Sequence, residues 1–214
     1  MLSVSGFYKY FRNPIELVQF ATLAGAYQPR NVGDGTVAGA EAEMRQNLDF
    51  LGAVFEGFSI SGNFSFTTSR IKLSKTELQS RLENARTGQA VEKYRDMAGQ
   101  APYLLNAGLA YNGGKTGFWK GLDAGFYYNV QGETLQYVGI VDRPDIYSKP
   151  FHGLNFNANK RFGNDNRMQA GIKVSNILND SKEAVFRSYR SSETYFSRIN
   201  TGTSFQLRFS YDIF

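Results

Sequence analysis

Along most of this chain apolar and polar residues alternate one by one, in runs longer than a soluble sheet needs. Phe205, Leu207, Phe209, Tyr211 and Ile213 interleave with Ser204, Gln206, Arg208, Ser210 and Asp212. Leu122, Ala124, Phe126, Tyr128 and Val130 interleave with Asp123, Gly125, Tyr127 and Asn129. Phe58, Ile60, Phe64 and Phe66 oppose Ser59, Ser61, Asn63 and Ser65, and Met168, Ala170, Ile172 and Val174 oppose Gln169, Gly171, Lys173 and Ser175. A period of two is the side-chain period of an extended strand, so each run has one greasy and one polar face.

This pattern predicts nine antiparallel strands, at 2–11, 16–28, 35–50, 57–73, 102–113, 117–137, 148–163, 166–178 and 201–214. Most exceed the ~5–6 residues of an ordinary globular strand and reach the ~9–11 that cross a bilayer. No stretch approaches the ~20 apolar residues of a membrane helix. The mean hydropathy of −0.39 is compatible with a membrane barrel, because only alternate residues of each strand face lipid.

The predicted connections differ in length. Short ones fall at Arg12–Ile15, Leu51–Glu56, Gly113–Thr116 and Gly163–Asn166, and long ones at Ser74–Gln100, Val138–Lys149 and Asn179–Asn200, with Gln28–Asp34 between. Short turns on one rim and long loops on the other are the habit of an outer-membrane barrel, whose short turns are periplasmic. Aromatics such as Phe118, Trp119, Phe55, Tyr8, Tyr10 and Tyr111 sit near predicted strand ends, where a ring can bury its body and keep its edge wet. Residues 74–97 break the alternation. Ser74-Lys75-Thr76-Glu77 fits a capping box ahead of helix formers, which predicts a helical insert in one external loop.

The fold class expected is therefore all-β, an antiparallel transmembrane β-barrel segment of about nine strands. The opening Met-Leu-Ser-Val-Ser-Gly lacks the basic start and apolar core of a signal peptide, so the export signal is expected upstream, in a longer protein.

Little here suggests enzyme chemistry. The chain has no Cys, and His152 is its single histidine, which argues against thiolate or multi-histidine metal sites and against a Ser-His-acid hydrolase. No catalytic residue, metal site or cofactor is expected. Glu41 and Glu43 share a face with Arg45; paired carboxylates can do acid–base work, but a solvated, charge-balanced wall is the simpler reading. Gly113-Gly114-Lys115-Thr116 lacks the leading glycine of a phosphate loop and joins two strands, so it reads as a hairpin turn. Asp142-Arg143-Pro144-Asp145 reads as loop punctuation with room for a cation. The net charge of +5 is dispersed, without the clustered footprint of a nucleic-acid binder.

Five stretches, in order, resemble TonB-dependent receptors of the Bacteroidetes type. Ser5-Gly6-Phe7-Tyr8-Lys9-Tyr10-Phe11-Arg12-Asn13-Pro14-Ile15-Glu16 resembles a strand and turn of that family. So do Val32-Gly33-Asp34-Gly35 with Gly39-Ala40-Glu41-Ala42-Glu43, then Gln100-Ala101-Pro102-Tyr103-Leu104-Leu105-Asn106-Ala107-Gly108-Leu109-Ala110-Tyr111, and Val174-Ser175-Asn176-Ile177-Leu178-Asn179. The last is Gly202-Thr203-Ser204-Phe205 through Tyr211-Asp212-Ile213-Phe214, which departs from the family by carrying Tyr211 three residues before Phe214, off the face of Phe205, Leu207 and Phe209.

The resemblance implies that residues 1–214 are the C-terminal part of a plugged barrel of about 22 strands, with the plug and the earlier strands elsewhere. It implies uptake of a scarce ligand (a siderophore, cobalamin or glycan), energised by the TonB complex through that plug. Outer-membrane lipid and a surface lipoprotein are the other expected partners. Glu41, Glu43, Arg45, Asn155, Asn157, Asn159 and Lys173 are the expected lumen-lining residues. The alternative reading is a passive porin-like or structural outer-membrane barrel, which shares every alternation argument.

Overall fold

The structure, a computed structural model, describes residues 1–20, 22–23, 25–114, 116–163 and 166–213. The chain runs β1 (Leu2–Phe11), β2 (Ile15–Gln19), β3 (Tyr27–Asn31), β4 (Gly35–Asn47), β5 (Phe58–Lys72), α1 (Lys75–Glu83), β6 (Tyr94–Arg95), β7 (Tyr103–Asn112) and β8 (Leu122–Gln131). It continues through β9 (Thr134–Tyr137), β10 (Asp145–Ser148), β11 (Phe151–Phe162), β12 (Met168–Ser175), β13 (Lys182–Arg187), β14 (Thr194–Ile199) and β15 (Ser204–Tyr211). With 57% strand and 7% helix the protein is all-β.

One large antiparallel sheet forms a wall in the order β1-β4-β5-β7-β8-β11-β12-β15, with the two-residue β6 added beside β5. Among the described residues β1 and β15 do not pair with each other, so the sheet is not closed. Its register puts the greasy set on one face. Val4, Ala42, Phe64, Leu105 and Val130 form one cross-strand row, and Leu109, Phe126, Phe156, Val174 and Phe205 another. Phe64, Leu109, Phe126 and Phe205 are exposed. A contiguous apolar face of this size on a water-soluble protein would be an aggregation hazard; in lipid it is the surface a barrel presents.

Connections 48–57, 113–121 and 163–167 close one rim of the wall, while 12–34, 73–102, 132–150 and 176–203 all leave the other. Three expectations are corrected by this layout. First, 16–28 is not a wall strand, so the wall has eight long strands among the described residues, not nine. Asn13 turns the chain with φ 44, and β2 and β3 form a separate hairpin. The Phe20 amide bonds the Ala26 carbonyl at 2.8 Å across its tip; Ala21 and Ala24 lie outside the described residues. The physical reason is that neither face of 16–28 is apolar throughout, so there was no stripe to give to lipid. Second, Arg12–Ile15 is consequently on the long rim, not among the short turns, and β1 runs opposite to the expected sense.

Third, the expected strand 117–137 is two elements. β8 begins only at Leu122, after Gly117 and Gly121 at φ 80 and 70, and stops before Gly132, whose amide bonds the Tyr103 carbonyl at 2.8 Å. The long connection 179–200 contains β13 and β14, which join β10 and β9 in a four-stranded sheet. In the turn at 113–116 the Gly113 amide bonds the Leu122 carbonyl at 2.8 Å; Lys115 lies outside the described residues, as do Asn164, Asp165 and Phe214.

Candidate functional site

The polar face of the wall is continuous from strand to strand. Glu43 on β4 is followed by Asn63, Asn106 and Asn129 in one row, and Arg45 by Ser61, Gly108, Tyr127 and Asn155 in the next. The sheet therefore puts all seven sequence-selected residues on one face: Glu41, Glu43 and Arg45 on β4, Asn155, Asn157 and Asn159 on β11, and Lys173 on β12 opposite Asn157. They form two groups, four strand spacings or about 19 Å apart. Between them the Tyr127 ring lies on the wall, because Gly125 and Gly108 leave room for it. A Cβ at Gly125 would come within 2.8 Å of the Tyr127 hydroxyl, and one at Gly108 within 3.3 Å of its ring. An open cavity of 560 Å³ is lined by Ser3, Ser5, Glu41, Glu43, Asn63 and Gln131, with residues 99–101 beside them.

Toward the long rim this face turns apolar. Val32, Val37, Ile71 and Met97 bury one another, with Phe7 and Phe11 packed against them. Above them the four long connections are fastened into a single cap. Val18, Leu135 and Val138 form its apolar centre. Val18 and Val138 bridge in parallel, with Gln19 N–H to Val138 O at 3.0 Å and Val138 N–H to Leu17 O at 3.1 Å. Tyr27 stacks on Tyr137 at 4.2 Å, and Phe196 sets its edge against both.

The polar fastening is more specific. Arg95, with a side chain 9% exposed, reaches Glu16 (3%) at 2.6 Å and Glu77 (12%) at 2.7 Å. Glu16 also accepts the Ala98 amide at 2.8 Å. Glu77 accepts Arg81 at 3.3 Å, and Arg81 forks onto Asp145 at 2.9 and 3.1 Å. Burial works against the Arg95 charge, but the hydrogen bonds and charges of Glu77 and Glu16 outweigh it and raise its pKa. Tyr147, half-buried near Asp145, has its pKa pushed up to about 12 by desolvation and then by that carboxylate. A second, more exposed network joins Arg187 to Glu133 and Glu193 at 2.6 and 2.5 Å, and Lys149 to both carboxylates at 2.9 Å. The Arg187 hydrogen bonds pull Glu133 below the usual carboxylate range, and the Lys149 hydrogen bond does the same for Glu193.

Beyond room for a cation at Asp142–Asp145, sequence reasoning gave these cap residues no role. The capping box at Ser74 did locate Glu77, whose amide donates to Ser74 Oγ at 3.1 Å. Its carboxylate is turned to Arg95 and Arg81, where a capping box would return it to the cap's own amide. Asp145, read as loop punctuation, is held by Arg81 and by the Gly139 amide at 2.7 Å. Arg143 donates to the carbonyls of Phe20 and Leu23 at 2.6 and 2.9 Å. His152 lies on the greasy face with Nδ1 at 2.6 Å from the Tyr128 hydroxyl.

A family model described as "TonB dependent receptor-like, beta-barrel" matches residues 1–177. No curated protein matches the chain. Among solved structures, P. aeruginosa FpvA, determined bound to a heterologous pyoverdine with iron, aligns over 98% of this chain and 24% of its own, with TM-score 0.54 and 13% identity. The chain thus spans about a quarter of that protein, and at this identity the likeness speaks for the fold alone. Taken with a wall that is greasy on one face and polar on the other, the match over residues 1–177 shows that the chain belongs to the TonB-dependent receptor β-barrel family.

Proposed function

We propose that residues 1–214 are the C-terminal part of the barrel of a TonB-dependent receptor of the Bacteroidetes type. The family is one of outer-membrane receptors in Gram-negative bacteria, with TonB as their partner, and is not enzymatic. In this reading the greasy face meets lipid and the polar face, with Glu41, Glu43, Arg45, Asn155, Asn157, Asn159 and Lys173, lines the ligand's path. The cap of long connections forms part of the external mouth, with α1 as its helical insert. A plug contributed by another part of the protein takes the pull of TonB, and a surface lipoprotein is a fitting lid partner.

The observation that carries the reading is the pairing of the family match with two-faced alternation through the whole wall. Open edges at β1 and β15 support a partial barrel, since unpaired backbone groups are costly in lipid. The ligand is a siderophore, cobalamin or glycan, and the iron-bound pyoverdine of FpvA makes a ferric chelate the first to try.

The test is uptake of radiolabelled ferric chelate, cobalamin or oligosaccharide by cells that carry the intact receptor, with and without the proton gradient and with TonB deleted. Uptake of one ligand that needs both supports active transport. Slow uptake of many small solutes that ignores both would replace the proposal with the porin-like alternative.

A further inference from the structure

The greasy face changes character along β1, β4 and β5. Working away from the short-turn rim, β5 presents Ile60, Phe64, Phe66 and Thr68, then Arg70 and Lys72, and β1 presents Leu2, Val4, Tyr8 and Tyr10; Arg12 follows one residue past its end, near enough for its charge to act on Tyr10 and Asp34. Both Arg70 and Lys72 are exposed, as is Arg12. Register places Tyr10, Thr36 and Arg70 in one row, while the Lys72 amide bonds the Asp34 carbonyl at 2.9 Å beyond it. The Arg70 guanidinium lies 4.7 Å over the Tyr94 ring.

Asp34 is the carboxylate among these cations. It accepts the Tyr10 hydroxyl at 2.7 Å and the Asn13 amide at 3.1 Å, and the charges of Arg12 and Lys72 both act on it. With three cations against one anion the patch stays positive.

Height locates the patch. From Phe58 to Thr68 the outward face runs ten steps, about 34 Å of strand at ~3.4 Å per residue, or roughly 26 Å of height at a tilt of about 40°. That fills the ~25 Å apolar band of a membrane barrel. Arg70, Lys72 and Arg12 come next, where acyl chains give way to headgroups, with Tyr8, Tyr10 and Tyr94 as the aromatic girdle beneath and among them.

We propose that Arg12, Arg70 and Lys72 form a binding site for the phosphate groups of an anionic lipid headgroup in the leaflet at the long-connection rim. A guanidinium fork suits phosphate oxygens and a lysine adds a point charge. The lipid's chains continue down the apolar rows of Tyr8 and Phe66, which a free anion could not use. The proposal rests on the membrane reading above.

The experiment uses the intact receptor purified from outer membranes in detergent. Native mass spectrometry measures retention of added diphosphoryl lipid A, of the same lipid without phosphates, and of inorganic phosphate. The expected result is retention of the phosphorylated lipid over its phosphate-free form. A variant carrying Arg12→Gln, Arg70→Gln and Lys72→Gln should lose that preference by on the order of 100-fold, at about fivefold per cation near a charged surface. An Arg70→Lys, Lys72→Arg exchange should keep most of it. Equal retention of both lipids by the unsubstituted receptor overturns the site whatever the variant does, and so does an assembled variant that keeps the preference. Failure to find the receptor in the outer-membrane fraction overturns the membrane reading and this site with it.

Discussion

Arg95→Met is the sharpest probe of the cap. The substitution keeps most of the side chain's bulk and removes the guanidinium that joins β2, α1 and β6. Glu16 and Glu77 are then left as carboxylates whose side chains are 3% and 12% exposed. Neither is wholly abandoned: Glu16 keeps the Ala98 amide and Glu77 keeps Arg81. Removing one partner of a buried pair costs about 3–5 kcal/mol, which at 1.36 kcal/mol per decade is a roughly 150- to 5,000-fold shift toward an open cap.

The assay is hydrogen–deuterium exchange of the intact receptor in detergent. Four amides report on the cap: Gln19 and Val138, which bond across β2 and β9, Gly99, which bonds Leu135 O, and Ala98, which bonds Glu16. Their exchange should accelerate by that factor while amides of the β5–β7 ladder stay protected. A second arm replaces the Arg95 triad together, with Glu16→Leu, Glu77→Leu and Arg95→Met, and leaves Arg81 on Asp145. It should return protection at Gln19, Val138 and Gly99 to near the original, though not at Ala98, whose acceptor is gone, since apolar replacements of a buried ion pair or triad are often neutral or stabilising. Unchanged exchange in the single variant would refute the reasoning, for it would mean that the cap is held by its apolar centre alone.

Three further outcomes follow from the geometry. Phe64→Lys puts a charge midway along the lipid-facing side of β5 and should cost about 2–4 kcal/mol, seen as a smaller heat-modifiable, assembled fraction in the outer membrane, whereas Ser65→Lys on the polar face should assemble normally; equal assembly would reverse the assignment of faces. Gly125→Ala drives a methyl into Tyr127 and should lower the melting midpoint by an overpacking cost of about 1–3 kcal/mol, relieved when Tyr127→Ala is added; a neutral single variant sinks this account. Lowered pKa values at Glu133 and Glu193 mean that their contribution is present above the ordinary value of 4.5 and fades as pH falls below it, and the raised Lys149 pKa means that its share lasts up to 10.5 and fades above; proteolysis within 188–193 should therefore be constant through neutral pH and rise at the acid end.

The wall was legible because its signal is local. Alternation through Phe58–Phe66 or Phe205–Tyr211 is complete within one strand, and lipid on one side with water on the other allows a single register. Residues 16–28 were misread as one wall strand because Glu16 and Val18 fall on one face with Leu17 and Gln19 on the other, a mixture that fits a membrane-spanning strand only if length is the sole guide. The cap was illegible for a different reason. Arg81 and Asp145 are 64 positions apart, Arg95 and Glu16 79, and Arg187 and Glu133 54, far beyond the ~11–18 residues over which periodicity speaks. A charged residue in a loop looks solvated until the loop that neutralises it is known.

This contrast bears on what the cap's charges do. If an apolar substitute would hold the connections equally well, stability does not explain why Arg81, Arg95, Asp145, Glu16 and Glu77 stand there. Position does. Apolar attraction between side chains is non-directional, but the fork of Arg81 on Asp145 is two bonds that must both be in line. A slip of β2 against β6 or of α1 against β10 would strand a buried charge. The wall fixes each strand by burying alternate residues in lipid, and its register follows from that. The connections leave the wall and have no lipid to sort their faces, so the charge network supplies the register the alternation no longer can. Where the wall specifies by which side is greasy, the cap specifies by which carboxylate each arginine can reach.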